Sequence, residues 1–91
     1  MEITITCYAR FRDAFGEEQI LTLPEGATIS DAVQQLARTG DPAELLIDEE
    51  GSIRSYVMIM YRSERISIKD AETLVLSNGD NLTLFPPVSG G

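Results

Sequence analysis

The last eight residues read Leu-Phe-Pro-Pro-Val-Ser-Gly-Gly (84–91), and they hold the chain's most distinctive reactive possibility. Pro86 and Pro87 fix φ and hold the departing backbone away from whatever precedes it. Gly90 and Gly91 carry no Cβ, so a strand of chain ending in them fits a channel too narrow for other residues. Extended at ~3.3–3.6 Å per residue, the segment 86–91 reaches about 20 Å, enough to enter a cleft on another protein. Its special group is the α-carboxyl of Gly91, unhindered and ionised near neutral pH. A carboxylate resists nucleophiles, so its use requires an enzyme that turns it into an acyl-adenylate with ATP. The adenylate can then accept sulfur, giving a thiocarboxylate, or an amine, giving an amide or isopeptide bond. Fraying is the competing explanation, and two final glycines taken alone fit it equally well.

Other chemistries are poorly supplied. The 91 residues contain no histidine and one cysteine, which removes Cys/His catalysis, zinc ribbons and an internal disulfide. Cys7 alternates with isoleucines, where a thiol acts as a small hydrophobe. Neither GxGxxG nor GxxxxGK[ST] occurs, so no phosphate-cradling loop is expected. Asp48-Glu49-Glu50 is the densest acidic cluster but lacks the alternating ligands of a calcium loop, and reads as solvated. Seven Lys plus Arg against fifteen Asp plus Glu give a net charge of −8, which repels nucleic acid and anionic lipid and serves solubility or docking onto a basic partner. No apolar run approaches the ~20 residues of a membrane span and no leader pattern is evident, so a soluble cytoplasmic protein without membrane association is expected.

The elements that must carry the tail are legible from periodicity. Residues 2–8 alternate strictly, with Ile3, Ile5 and Cys7 on one side and Thr4, Thr6 and Tyr8 on the other, which predicts a half-buried strand. Phe11 and Phe15 before Gly16 predict a helical turn closed by a left-handed glycine. Residues 18–23 read as a second strand, stopped by Pro24-Glu25-Gly26. Thr28, Asp31 and the stripe Ile29, Val33, Leu36 and Ala37 predict a capped amphipathic helix over 29–39, ended by Gly40. Asp41-Pro42 predicts a second short helical turn carrying Leu45, Leu46 and Ile47, before an acidic loop centred on Gly51. A strand over 55–62 places Val57, Ile59 and Tyr61 opposite Tyr56, Met58 and Met60. An edge strand over 65–69 and a connection with a tight Asn78-Gly79 turn lead to a last strand, 81–85. The expected fold class is α+β: a mixed sheet of four to five strands with one main helix on one face, the chain crossing through 29–39 to return beside the first strand.

That element order, with Ala9-Arg10-Phe11-Arg12 near the start, the Asn78-Gly79-Asp80 turn and the Phe85-Pro86-Pro87-Val88-Ser89-Gly90-Gly91 tail, resembles the MoaD/ThiS group of ubiquitin-like sulfur carriers over the whole chain. FPPVSGG is similar to the tails of the molybdopterin synthase small subunit and of archaeal ubiquitin-like small modifier proteins. The resemblance implies a ubiquitin-like β-grasp domain over 1–85 with a flexible tail over 86–91. It also implies a carrier or co-substrate rather than an enzyme, with no bound cofactor. Gly91 would be adenylated by a ubiquitin-activating-type (MoeB/ThiF-like) enzyme that uses ATP, then thiocarboxylated. The loaded tail would enter the molybdopterin synthase large subunit (MoaE-like) and donate sulfur in molybdenum cofactor biosynthesis. Conjugation to target-protein lysines is the alternative, with thiamine thiazole formation or tRNA thiolation further options; thiazole-forming carriers usually lack the Pro-Pro lead-in. Two departures stand out: Met60-Tyr61-Arg62-Ser63-Glu64 replaces an Asn-containing turn common in relatives, and the insert at 48–55 is longer than in bacterial subunits. If the helix covers Ile3, Ile5, Val57, Ile59, Leu82 and Leu84, the opposite face shows Met58, Met60 and Phe85. These form a candidate partner-docking patch beside the tail, unless the register is slipped.

Overall fold

In the computed structural model, which describes residues 1–40 and 43–87, the alternation of the first strand sets the layers. β1 (Glu2–Cys7) buries Ile3, Ile5 and Cys7 completely, and leaves Thr4 and Thr6 partly open. It pairs antiparallel with β2 (Glu18–Thr22) and parallel with β5 (Asn81–Phe85). β5 in turn pairs antiparallel with β3 (Met58–Tyr61), which forms a hairpin with β4 (Glu64–Ile66). The five-stranded mixed sheet therefore runs β2-β1-β5-β3-β4. The expectation that the chain re-enters beside β1 directly after the helix is corrected: β3 leaves a gap, and the last strand fills it. Inserting β5 there satisfies the inner ladder groups of both β1 and β3, which would otherwise be unpartnered edges.

The main helix, α2 (Ile29–Thr39), has the predicted bounds. Thr28 Oγ1 accepts from Asp31 N at 3.2 Å, and Asp31 Oδ2 accepts from Thr28 N at 2.9 Å, a reciprocal capping box that satisfies two first-turn donors. Ile29, Val33, Leu36 and Ala37 face the sheet and join Ile3, Ile5, Ile59, Leu82 and Leu84 in one core. Phe11 and Phe15, from α1 (Arg10–Phe15), close one end of it. Gly40 ends α2 for a steric reason. Its φ is an ordinary −119°, but a Cβ there would sit 2.2 Å from the Phe15 ring. Gly16 has φ +91° and ψ +159°, so it is a glycine-only extended conformation rather than the left-handed cap expected.

A 3₁₀ turn over Ala43–Leu45 carries fully buried Leu46 and half-buried Leu45 and Ile47; Asp41 and Pro42, its expected start, lie outside the described residues. The edge strand is shorter than expected, because Ser67 opens a helical turn, α3 (Ile68–Ala71), that sequence periodicity missed. The Ser67 hydroxyl accepts from Asp70 N at 3.0 Å, so the available signal was the Ser-x-x-Asp cap spacing. The following connection lies against the start of α2: Ile29 N donates to Leu74 O and Leu76 N to Ala27 O.

Two local features fix where β5 begins. Asp80 accepts from Ser77 N at 2.7 Å and from the Tyr61 hydroxyl at 2.7 Å, and lies 3.5 Å from the Arg62 guanidinium. Burial alone would raise the Asp80 pKa, but the Ser77 amide, the Tyr61 hydroxyl and the Arg62 charge outweigh it and lower it. The β3–β4 turn is made by Arg62 and Ser63 at φ 53° and 66°. Two successive left-handed residues match the twist of the hairpin, a geometry for which Asn-Gly is the favoured pair. Here two side chains with a Cβ adopt it, at about 1–2 kcal/mol each.

Ser63→Gly is expected to raise unfolding free energy by roughly 0.5–1 kcal/mol in urea titration, strain relief exceeding the added freedom of the unfolded chain. Asp80→Ala is expected to lower it by about 1–3 kcal/mol by orphaning the Tyr61 hydroxyl and the Ser77 amide. Because folding lowers the Asp80 pKa, its contribution is complete above the ordinary carboxylate range, roughly pH 4, and fades as pH falls through the folded value. The gap between wild type and Asp80→Asn should therefore shrink on acidification; a constant gap to pH 2 would contradict this role.

Candidate functional site

The face of the sheet opposite α2 collects the side chains that alternate away from the core. Register places Thr6 of β1 beside Thr83 of β5, Thr83 beside Met60 of β3, Phe85 beside Met58, and Met60 beside Arg65 of β4. Met58, Met60 and Phe85, the three predicted patch residues, are all half-buried on this open face, in the unslipped register. Their partial exposure comes from the strands themselves, because α2 packs on the other side.

Tyr8 completes the patch and was not among the predicted site residues. Its ring stacks on Phe85 with centroids 4.8 Å apart and planes 6° from parallel, while remaining 46% exposed. Tyr8 N also donates to Leu84 O, so the residue is held at the exit of β5 by both backbone and ring. Alternation with Thr4 and Thr6 placed Tyr8 on this face. Its contact with Phe85 depends on the parallel β1–β5 pairing, which no local pattern reveals. A shallow groove of about 480 Å³ lies across the patch, bordered by Tyr8, Met60, Arg62, Asp80, Thr83 and Phe85.

Ala9, next in sequence, has φ 54° and ψ −132°, a conformation that glycine adopts without strain and alanine does not. It turns the chain so that Tyr8 stays on the open face while Phe11 enters the core, with Phe11 N donating to Tyr8 O at 3.2 Å. The same turn borders the start of the tail: Ala9, Arg10, Pro86 and Pro87 surround a small surface cavity. Arg10 lies 5.5 Å from the Tyr56 ring, a cation–π distance. Pro86 is half-buried and Pro87 exposed, so the chain leaves the sheet within two residues of β5. Val88, Ser89, Gly90 and Gly91 lie outside the described residues.

Other candidates are accounted for by packing. Cys7 is fully buried, and burial pushes its thiol up to about 11, which leaves it a poor nucleophile. In the acidic loop, Asp48 Oδ1 accepts from Glu50 N and Ser52 N at 2.9 and 3.0 Å, so that carboxylate organises its own turn. No group of three metal-ligating side chains is found among the described residues. No helix of the described residues is long and apolar enough to cross a membrane.

The geometry is thus a platform: a central strand ending beside an aromatic–methionine face, and a proline-stiffened chain leaving it. Comparison with known proteins gives a concordant result. The ThiS family model matches residues 5–91. Small archaeal modifier protein 3 of Haloferax volcanii is 27% identical over 92 residues, covering all of both chains. Among solved structures, SAMP1 of the same organism superposes with a TM-score of 0.84 at 24% identity over the full length of both chains. Molybdopterin converting factor subunit 1 of Pyrococcus furiosus superposes at 0.74 with 26% identity, covering 97% of this chain and 99% of that one. The chain belongs to the ThiS family, and its β-grasp fold is shared with proteins named as ubiquitin-like carriers and modifiers.

Proposed function

We propose that this chain is a sulfur carrier of the cytoplasm whose Gly91 carboxyl is adenylated at the expense of ATP by a ubiquitin-activating-type (MoeB/ThiF-like) enzyme, converted to a thiocarboxylate, and used in molybdenum cofactor biosynthesis. The observation that carries the reading is the exit of Pro86 and Pro87 from a central strand, directly beside the stacked Tyr8–Phe85 pair. An activating enzyme that grips this patch has the following residues, Val88 to Gly91, within about 14 Å of extended chain for its nucleotide site. The likeness to the Pyrococcus molybdopterin converting factor subunit favours a MoaE-like large subunit as the sulfur-accepting partner. In that arrangement Met58, Met60 and Phe85 are the docking contacts, and Ser89, Gly90 and Gly91 thread the partner's channel.

A second reading is favoured by the relative named as a modifier: attachment of Gly91 to target-protein lysines. Both begin with the same adenylate and diverge only in the nucleophile that receives the acyl group. The patch serves either, because it addresses the activating step.

Incubation with the adenylating enzyme, ATP and a sulfur donor should change the mass of the chain by one oxygen-to-sulfur exchange, located at Gly91. Absence of that change, where a known carrier is loaded, would refute sulfur carriage. For the modifier reading, the last basic residue is Lys69, so trypsin would leave residues 70–91 on the target amine rather than a short remnant. Phe85→Ala and Tyr8→Ala should fold normally yet raise the KM of adenylation roughly tenfold each, as loss of an aromatic contact at an interface centre does. An unchanged KM in a folded Phe85→Ala variant would remove the patch from the reading.

A further inference from the structure

After Asp80 the chain carries no charged side chain, so neither β5 nor the tail has one with which to make an ionic contact to whatever receives Gly91. Such a contact must come from the body of the protein. One cation stands where the tail leaves: Arg10, which with Ala9, Pro86 and Pro87 borders a surface cavity of about 280 Å³. Two features fix it there. Ala9, held at φ 54° and ψ −132°, turns the chain so that Arg10 opens α1 beside the exit, and strain of this kind persists only where the surroundings enforce it. The Arg10 guanidinium also lies 5.5 Å from the Tyr56 ring, and the Tyr56 hydroxyl donates to Leu45 O at 2.6 Å, so the ring beneath the cation is itself anchored.

Arg10 is placed without being used. Arg62 faces Asp80 at 3.5 Å, and Arg54 Nε donates to Glu44 O, so those cations have partners within the fold. Arg10 is exposed and makes no ion pair or side-chain hydrogen bond among the described residues. Its guanidinium is always charged and presents its N–H donors as a planar fork, which matches a carboxylate with two parallel hydrogen bonds. In a chain of net charge −8, a positioned cation with no carboxylate beside it is a local exception. Pro86 and Pro87 supply the cavity with an apolar wall, which keeps water from one side of an ion pair formed there and so strengthens it.

We propose that Arg10 is the ionic docking contact at the root of the tail, and that it takes a carboxylate of the adenylating enzyme, an Asp or Glu at the mouth of the channel the tail enters. This rests on the activation of Gly91 proposed above. The pair forms when the chain docks and is kept while Gly91 reacts, so it contributes to binding and not to the chemical step. The competing anion is the Gly91 carboxylate of the same chain, which a tail of about 20 Å can bring back to its own root. That contact would withdraw the reactive group, whereas a carboxylate of the enzyme leaves it free to extend.

The test has two arms. In the first, the full chain and its Arg10→Gln and Arg10→Glu variants are compared as substrates of the adenylating enzyme by ATP–pyrophosphate exchange, at low and high salt. Arg10→Gln should raise KM roughly ten- to hundredfold with kcat and circular dichroism unchanged, and Arg10→Glu should raise it further. The wild-type KM should climb with salt while that of Arg10→Gln stays nearly flat, a difference that loss of packing on Tyr56 would not produce. In the second arm, Arg10→Lys is treated with a carbodiimide, which joins an amine to a carboxyl group, in the presence of the enzyme. The expected product is an amide between position 10 and an Asp or Glu of the enzyme, mapped by mass spectrometry. An Arg10→Gln variant with the KM and salt dependence of wild type would overturn the proposal, as would position 10 left unlinked or linked only to Gly91 of its own chain. Absence of exchange with the wild-type chain would refute the activation of Gly91 instead, and the cross-linking arm would still decide Arg10.

Discussion

The structure depends on the placement of β5 between β1 and β3. Leu82 and Leu84 are fully buried there, each burial stabilising the fold by about 1.5–3 kcal/mol, and both edges of the strand are hydrogen-bonded. The strand is held at both ends as well: Asp80 ties its start to Tyr61, Ser77 and the β3–β4 turn, and Tyr8 stacks on Phe85 at its finish. A chain that leaves such a strand leaves from the most constrained part of the molecule. Opening β5 means breaking two ladders at once, so the strand from which Pro86 and Pro87 depart is held on both sides.

Backbone strain is distributed around the same region. Among the described residues, three that are not glycine have positive φ: Ala9 beside the tail exit, and Arg62 and Ser63 at the rim of the open-face groove. Such conformations persist only where the surroundings over-determine them. Ala9 is fixed between Tyr8 on one face and Phe11 in the core. Arg62 is held 5.0 Å from the Tyr61 ring and within reach of Asp80. In each case the strained residue points a neighbouring side chain, or its own, onto the open face, which is the face the functional reading uses.

Acidic side chains lie on loops, helices and strands alike: Glu18 pairs with Thr6 and so shares the open face, and in the Asp48 loop a carboxylate is spent on turn geometry. The open face carries Arg62 and Arg65 beside its methionines. Sulfur transfer and protein modification place the same demands on this body. Each needs a rigid platform, a patch for the activating enzyme, and a slender tail whose carbonyl carbon is accessible. The difference between them lies in the nucleophile, which a partner supplies.

Much of this was legible in the sequence because it is local. Period-two alternation assigned the faces of β1, β3 and β5, and the Thr28–Asp31 spacing with its apolar stripe gave α2 to the residue. The chemistry proposed for the tail rests on its composition, a property of the sequence alone. The α3 turn escaped because its cap spacing lay inside a segment that also reads as strand, and four residues are too few for helical periodicity to register. What only the tertiary structure decided is non-local. That β5, rather than the strand after the helix, lies beside β1 is a matter of which edges remain unsatisfied once the chain has collapsed. The Tyr8–Phe85 stack, the Asp80 hub and the Gly40–Phe15 contact follow from that choice, since each joins residues whose proximity is created by packing and not by spacing along the chain.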